Sequence, residues 1–113
     1  MRKETNMTKE QKRQALALIA TDCENRFRYL HNGQTCAVGC LARAAGVRDS
    51  TLIIANEHPI GAQWIETISR MRDAILSKFG LTPSQLQTIQ ALNDGHTERE
   101  ERVAAVTKYL NDL

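Results

Sequence analysis

No apolar run in this chain approaches the ~20 residues that a helix needs to cross a bilayer, which excludes a membrane-spanning helix. The N-terminal stretch Met-Arg-Lys-Glu-Thr-Asn-Met lacks the apolar core of a secretory signal and predicts a protein that is not exported. Cysteine is odd in number, Cys23, Cys36 and Cys40. Three thiols without an export signal argue against a disulfide framework and for reduced cysteines in the cytoplasm. Charge of one sign is not in excess either: a net +2 is too small to demand a nucleic-acid partner. Aromatic residues are few, one Trp, two Tyr and two Phe. Trp64 therefore has two readings, a core filler or an exposed interface anchor. Repeats, low-complexity tracts and linkers are absent, and 113 residues suffice for one domain with a modest core.

The charge that is present is unevenly spread. Residues 1–48 carry nine Lys/Arg against four Asp/Glu, whereas 49–113 carry six against nine, so a front half of +5 precedes a back half of −3. Such asymmetry can orient a protein partner or a second copy of the chain.

A second β run is also missing. Leu52-Ile53-Ile54-Ala55 is strand-like in propensity, but a lone strand would leave its backbone groups unpaired. A short helix capped by Asp49 or Ser50, or an irregular turn, is the expected form. The rest of the chain follows a helical period. Residues 1–7 read as a disordered N-terminus and 8–113 as a single helical domain. Thr8-Lys9-Glu10-Gln11 is a capping box opening a helix expected to run to Leu30, with Leu16, Ile19, Cys23, Phe27 and Leu30 on one stripe. His31-Asn32-Gly33 is a stop signal with two residues suited to positive φ. A helix over Thr35–Ala45 follows, Thr35 as its N-cap and Gly46 as its terminator. Its small residues, among them Ala37, Gly39 and Ala42, let neighbouring helices approach closely and mark it as the buried centre of a bundle. Ala62–Phe79 carries Ile65, Ile68, Ile75 and Phe79 on one side with Trp64 and Met71 flanking. Thr82-Pro83-Ser84-Gln85 caps a further helix running to Leu92, with Leu81 and Leu86 spaced as a staple. Thr97-Glu98-Arg99-Glu100 reads as the capping box of a last helix, whose core face is Val103, Val106, Leu110 and Leu113. The sum is an all-α, compact single-domain bundle of five or six short helices around a small-residue central helix.

Four constellations have chemical potential. Cys36 in the first turn of its helix would gain thiolate character from the helix dipole, with His58 or His96 as base and Asp94 or Asn93 as orienting group, the inventory of a thiol-dependent enzyme. The competing reading is a small buried cysteine, and no family signature surrounds it. Cys23, His31, Cys36 and Cys40 are soft metal ligands, but their spacing lacks the paired knuckle of a structural zinc site, so no metal or other cofactor is expected. Gln85, Gln87 and Gln90 are compatible with nucleic-acid contact, yet Glu98, Glu100 and Glu101 in the following helix would repel phosphates. Asn93-Asp94-Gly95-His96 does not supply the ligand spacing of a calcium loop and reads as a helix–helix turn. Glu98 and Arg102, four apart, read as a surface pair. The basic positions Lys12, Arg13, Arg26 and Arg28, lying off the apolar stripe of the first helix, are the expected binding face.

Cys36-Ala37-Val38-Gly39-Cys40-Leu41, Phe79-Gly80-Leu81-Thr82, Leu92-Asn93-Asp94 and Glu101-Arg102-Val103 together resemble a group of small bacterial and bacteriophage proteins. These share a Cys-x2-Gly-x-Leu segment, a Tyr/Phe-Gly-Leu-Thr link and a late Asn-Asp followed by a Glu-Arg helix. The resemblance covers residues 33–110 and implies a compact helical domain without carrying over an activity. It also implies a phage or prophage accessory protein that acts by binding a host component. The expectation from the whole chain is thus a cytoplasmic inhibitor or adaptor that binds a bacterial host protein. Nucleic acid and self-association are the lesser partner readings.

Overall fold

Thr8 opens the first helix as its capping residue, and the box is complete. Its hydroxyl accepts from the Gln11 N–H at 3.1 Å while Gln11 Oε1 accepts from the Thr8 N–H at 2.8 Å. A computed structural model describes residues 7–26, 28–56 and 62–113. Six helices run through these residues: α1 (Lys9–Asp22), α2 (Ala37–Ala44), α3 (Asp49–Asn56), α4 (Ala62–Phe79), α5 (Pro83–Gly95) and α6 (Arg99–Asn111). Among the described residues there is no strand, only two isolated bridges, Cys23 with Thr35 and His31 with Gln34. The all-α single-domain bundle is therefore the fold, and its Cα radius of gyration of 13.3 Å is that of a compact domain of this length.

α2 is the centre post. Six of its eight residues, Ala37 to Ala42, are buried, and it packs against α1, α4 and α5. Small side chains permit this, and at one position nothing larger than hydrogen fits. A Cβ on Gly39 would stand 1.9 Å from the backbone oxygen of Tyr29. Gly46, at φ +94°, ends the segment in the left-handed region as expected. Around α2 the core is closed by Ile19 of α1, Leu52 of α3, Met71, Ile75 and Phe79 of α4, Ile89 of α5 and Leu110 of α6.

Several local expectations are corrected. α1 stops at Asp22 rather than Leu30. Thr35 supplies the reason: its hydroxyl donates to the Asp22 carbonyl at 2.8 Å, and its own carbonyl accepts from the N–H groups of Glu24 and Asn25 at 2.7 and 3.1 Å. Those donors find a tertiary partner in place of the helical one four residues back. Thr35 is consequently not the cap of α2; Cys36 is, its sulfur accepting from the Gly39 N–H at 3.3 Å. Leu52–Ala55 is helical, with Leu52 and Ala55 buried. On α4, Met71 takes the core position and Ile65 is 60% exposed, the reverse of the expected order. Trp64 is half-buried, its indole N–H donating to the Ala55 carbonyl at 3.3 Å and tying α4 to α3. α5 keeps its capping box at Thr82 and Gln85 but continues through Asn93 to Gly95. α6 begins one residue late for the Thr97 box, and Glu98 at its N-cap makes no side-chain capping bond. Met7 packs against the core instead of fraying, while residues 1–6, Phe27 and His58 lie outside the described residues.

The Gly39 contact yields a sharp test. Gly39→Ala is expected to cost at least ~3 kcal/mol, beyond ordinary overpacking, because backbone must move. Gly95→Ala, whose Cβ would meet nothing within 4 Å, should stay within about 0.5 kcal/mol of the parent. Urea midpoints of the two variants give the comparison.

Candidate functional site

Cys23, Cys36, Asn93, Asp94 and Arg102, all singled out from the sequence, meet at one joint where α5 and α6 close over residues 23–26 and the start of α2. Its hub is Asn93, 1% exposed in the last turn of α5. Asn93 Oδ1 accepts from the Cys23 thiol at 3.1 Å and from the Ala37 N–H at 3.0 Å. Its Nδ2 donates to the Arg26 carbonyl at 2.6 Å and to the Asp94 carboxylate at 3.1 Å. One side chain thus satisfies an orphan donor at the start of α2 and holds a loop that has no ladder of its own. Arg102 works beside it. The residue is 4% exposed, and its guanidinium donates to the carbonyls of Thr97 at 2.6 Å and Glu24 at 3.3 Å. It is therefore no surface partner for Glu98: a buried guanidinium requires acceptors on several sides, and backbone carbonyls supply them to Nη1 and Nη2 but not to Nε.

The three thiols lie in this interior. The helix-dipole argument for an activated Cys36 is overturned by burial, which pushes the thiol up to about 12; the N–H groups of Gly39 and Val38 pull the other way without prevailing. Cys40 and Cys23 are raised as well, chiefly by burial, and the Cys40 thiol donates a hydrogen bond to the Ala37 carbonyl at 3.1 Å. Desolvation also raises the carboxyl of half-buried Asp94, against the pull of its bond from Asn93 and of Arg26 and Arg102. Among the described residues no imidazole bonds to the Cys36 sulfur, and His96 contributes its main-chain carbonyl to Arg102 at 3.4 Å. His31 stands exposed on a turn, away from the buried thiols, and no group of three or more His, Cys, Asp or Glu among the described residues could hold a metal ion.

Two of the four expected basic positions lie off α1. Lys12 Nζ donates to the Leu113 carbonyl at 2.8 Å, and Arg13 pairs with Glu10 at 2.6 Å. Arg26 and Arg28 lie beyond the end of α1, and Arg26 Nε donates to the Asp94 carbonyl at 2.8 Å. Arg28 opens onto a cavity.

That cavity, of about 600 Å³, is a groove between α3 and the 28–33 segment, lined by Arg28, Leu30, His31, Asn32, Gly33, Ile53 and Asn56. Both walls are held by short local bonds. Asn56 accepts from the Tyr29 N–H at 2.7 Å and donates to the Leu30 carbonyl at 2.6 Å. The opposite lip is a two-residue hairpin turn, in which His31 and Gln34 exchange both backbone hydrogen bonds at 2.9 Å. Asn32 and Gly33 at its tip have φ of +52° and +80°, the backbone that their sequence suggests. Beside the groove Ile53 is 51% and Ile54 43% exposed. Sequence reasoning missed this wall although its signal was present. Four consecutive apolar residues on a two-turn helix cannot all face one core, so Ile53 and Ile54 must project opposite Leu52 and Ala55.

Compared with protein-family models, curated proteins and solved structures, the chain matches none.

Two outcomes follow from the joint. Asn93→Ala removes the side-chain partner of the buried Ala37 N–H and of the Cys23 thiol and should destabilise by about 3 kcal/mol in urea unfolding. The thiols set an alkaline limit. Cys36 keeps its proton in the folded state to about 12 against an ordinary 9.0, so the unfolded chain releases that proton first. Stability is full below pH 9 and falls as pH rises toward 12, by up to ~1.4 kcal/mol per pH unit for each such thiol. Unfolding midpoints from pH 8 to pH 11 should decline accordingly, and iodoacetamide should label Cys36 no faster than the chain unfolds.

Proposed function

We propose that this chain is a binding module, a phage- or prophage-type accessory protein that engages a bacterial host protein in the cytoplasm, and that the groove beside α3 is its contact surface. The observation that carries this reading is the exposure of Ile53 and Ile54 at 51% and 43% on the rim of a concave site. Adjacent branched apolar side chains left in water gain free energy when a partner covers them, at ~25 cal/mol per Å². The polar inventory points the same way. Cys36 caps α2, Asn93 ties α5 to α2 and to Asp94, and Arg102 holds the carbonyls of Thr97 and Glu24, which leaves them in structural roles. The resemblance to small bacterial and phage proteins supports the host-directed part of the reading. A thiol-dependent reaction gains no support from a Cys36 that burial holds protonated.

The test is capture by tagged protein from bacterial lysate, comparing the parent with Ile53→Glu at two salt concentrations. Ile53 is exposed, so the variant should fold and melt like the parent. One protein retained in stoichiometric amount by the parent and lost by Ile53→Glu is the expected result. Equal capture by both, or nucleic acid released by salt, overturns the reading.

A further inference from the structure

Resting on that reading, the groove's own chemistry narrows what it takes. We infer that it binds an extended acidic segment of the partner, with a carboxylate on Arg28 and a branched aliphatic side chain against Leu30 and Ile53.

Among the described residues the lining carries the Arg28 guanidinium and no carboxylate. Arg28 is exposed and makes no ion pair among the described residues, whereas Arg13, Arg43, Arg70 and Arg99 pair with Glu10, Asp49, Glu66 and Glu24. Its main chain is nevertheless held, the Arg28 N–H donating to Asn25 Oδ1 at 3.0 Å and the next N–H going to Asn56. An exposed guanidinium on a fixed base presents its fork to an incoming carboxylate at little ordering cost. The apolar half of the lining discriminates between anions. A phosphate polymer needs several cations and gains nothing from Leu30 and Ile53, while a peptide uses both. About 600 Å³ accommodates a few side chains, which suits a short segment rather than a folded face.

The full chain, labelled with ¹⁵N, is titrated at low salt with the blocked peptide Glu-Leu-Glu-Ile-Glu and with its counterpart Lys-Leu-Lys-Ile-Lys. The acidic peptide should shift the amides of residues 28–33 and 53–56 saturably, and the lysine peptide should not. Arg28→Glu should weaken the acidic peptide by roughly fivefold or more without altering the melting temperature. Equal response to both peptides, or no shift in those amides at millimolar peptide, overturns the inference. So does a preference for single-stranded oligonucleotide, or a self-association of the chain that Arg28→Glu abolishes. The two readings separate in the capture experiment. A partner lost by Ile53→Glu but kept by Arg28→Glu leaves the binding module standing and removes the acidic segment, whereas a partner kept by both removes the groove altogether.

Discussion

The carboxamide of Asn93 is the interaction on which the rest depends. It sits where α5 meets two backbone features that cannot satisfy themselves, the N-terminal turn of α2 and the irregular segment that follows α1. A helix made of small residues contributes little side-chain burial of its own, so its position rests on close backbone approach and on the donors and acceptors at its ends. Gly39 against the Tyr29 carbonyl provides the approach, and Asn93 with Cys36 serves the N–H groups at the start of α2. An amide suits this place better than a carboxylate or a hydroxyl because it accepts twice and donates twice without bringing charge into the interior.

That joint also explains the motif residues without catalysis. Cys36, Gly39, Asn93 and Arg102, scattered over more than half the chain, are gathered because a thin central helix needs a cap, a contact and a clamp. A thiol at the cap of α2 feels the helix N–H groups, but it feels the loss of water more, and a protonated sulfur is the result. Among the described residues, Ile53 and Ile54 of α3 and Arg28 across the groove are the groups that the proposed recognition uses.

The fold was largely legible, and its legible parts share a cause. Thr8-Gln11 and Thr82-Pro83-Gln85 are self-contained within one turn, so their capping boxes appear where the residues predict them. The bounds of α4 follow from an apolar period that ends at Gly80. Errors arose where a partner distant in sequence intervened. Thr35 captures the donors that would have extended α1, and Cys36 takes the cap that Thr35 vacates. Arg102 looked like a surface charge because periodicity cannot say that the carbonyls of Glu24 and Thr97 converge on it. Asn93, seven residues beyond Leu86 and four beyond Ile89, already lay on the buried face of α5. A polar residue in that register was the available sign of an internal hydrogen-bond hub.

The amino-acid sequence by itself determined the helical class, the single domain, the capped starts of α1 and α5, the positive φ at Asn32 and Gly33 and the central place of the small-residue helix. These depend on spacing, on dihedral freedom and on groups within a few residues of one another. Only the tertiary structure decided where α1 ends, which of the three thiols' neighbours matter, and that Arg26 and Arg28 lie beyond the last turn of α1. It alone brought Arg28 and Ile53 to opposite walls of one groove. Hydrogen bonds and desolvation act through space, and a chain that folds back on itself sets both by contacts that its local order does not contain.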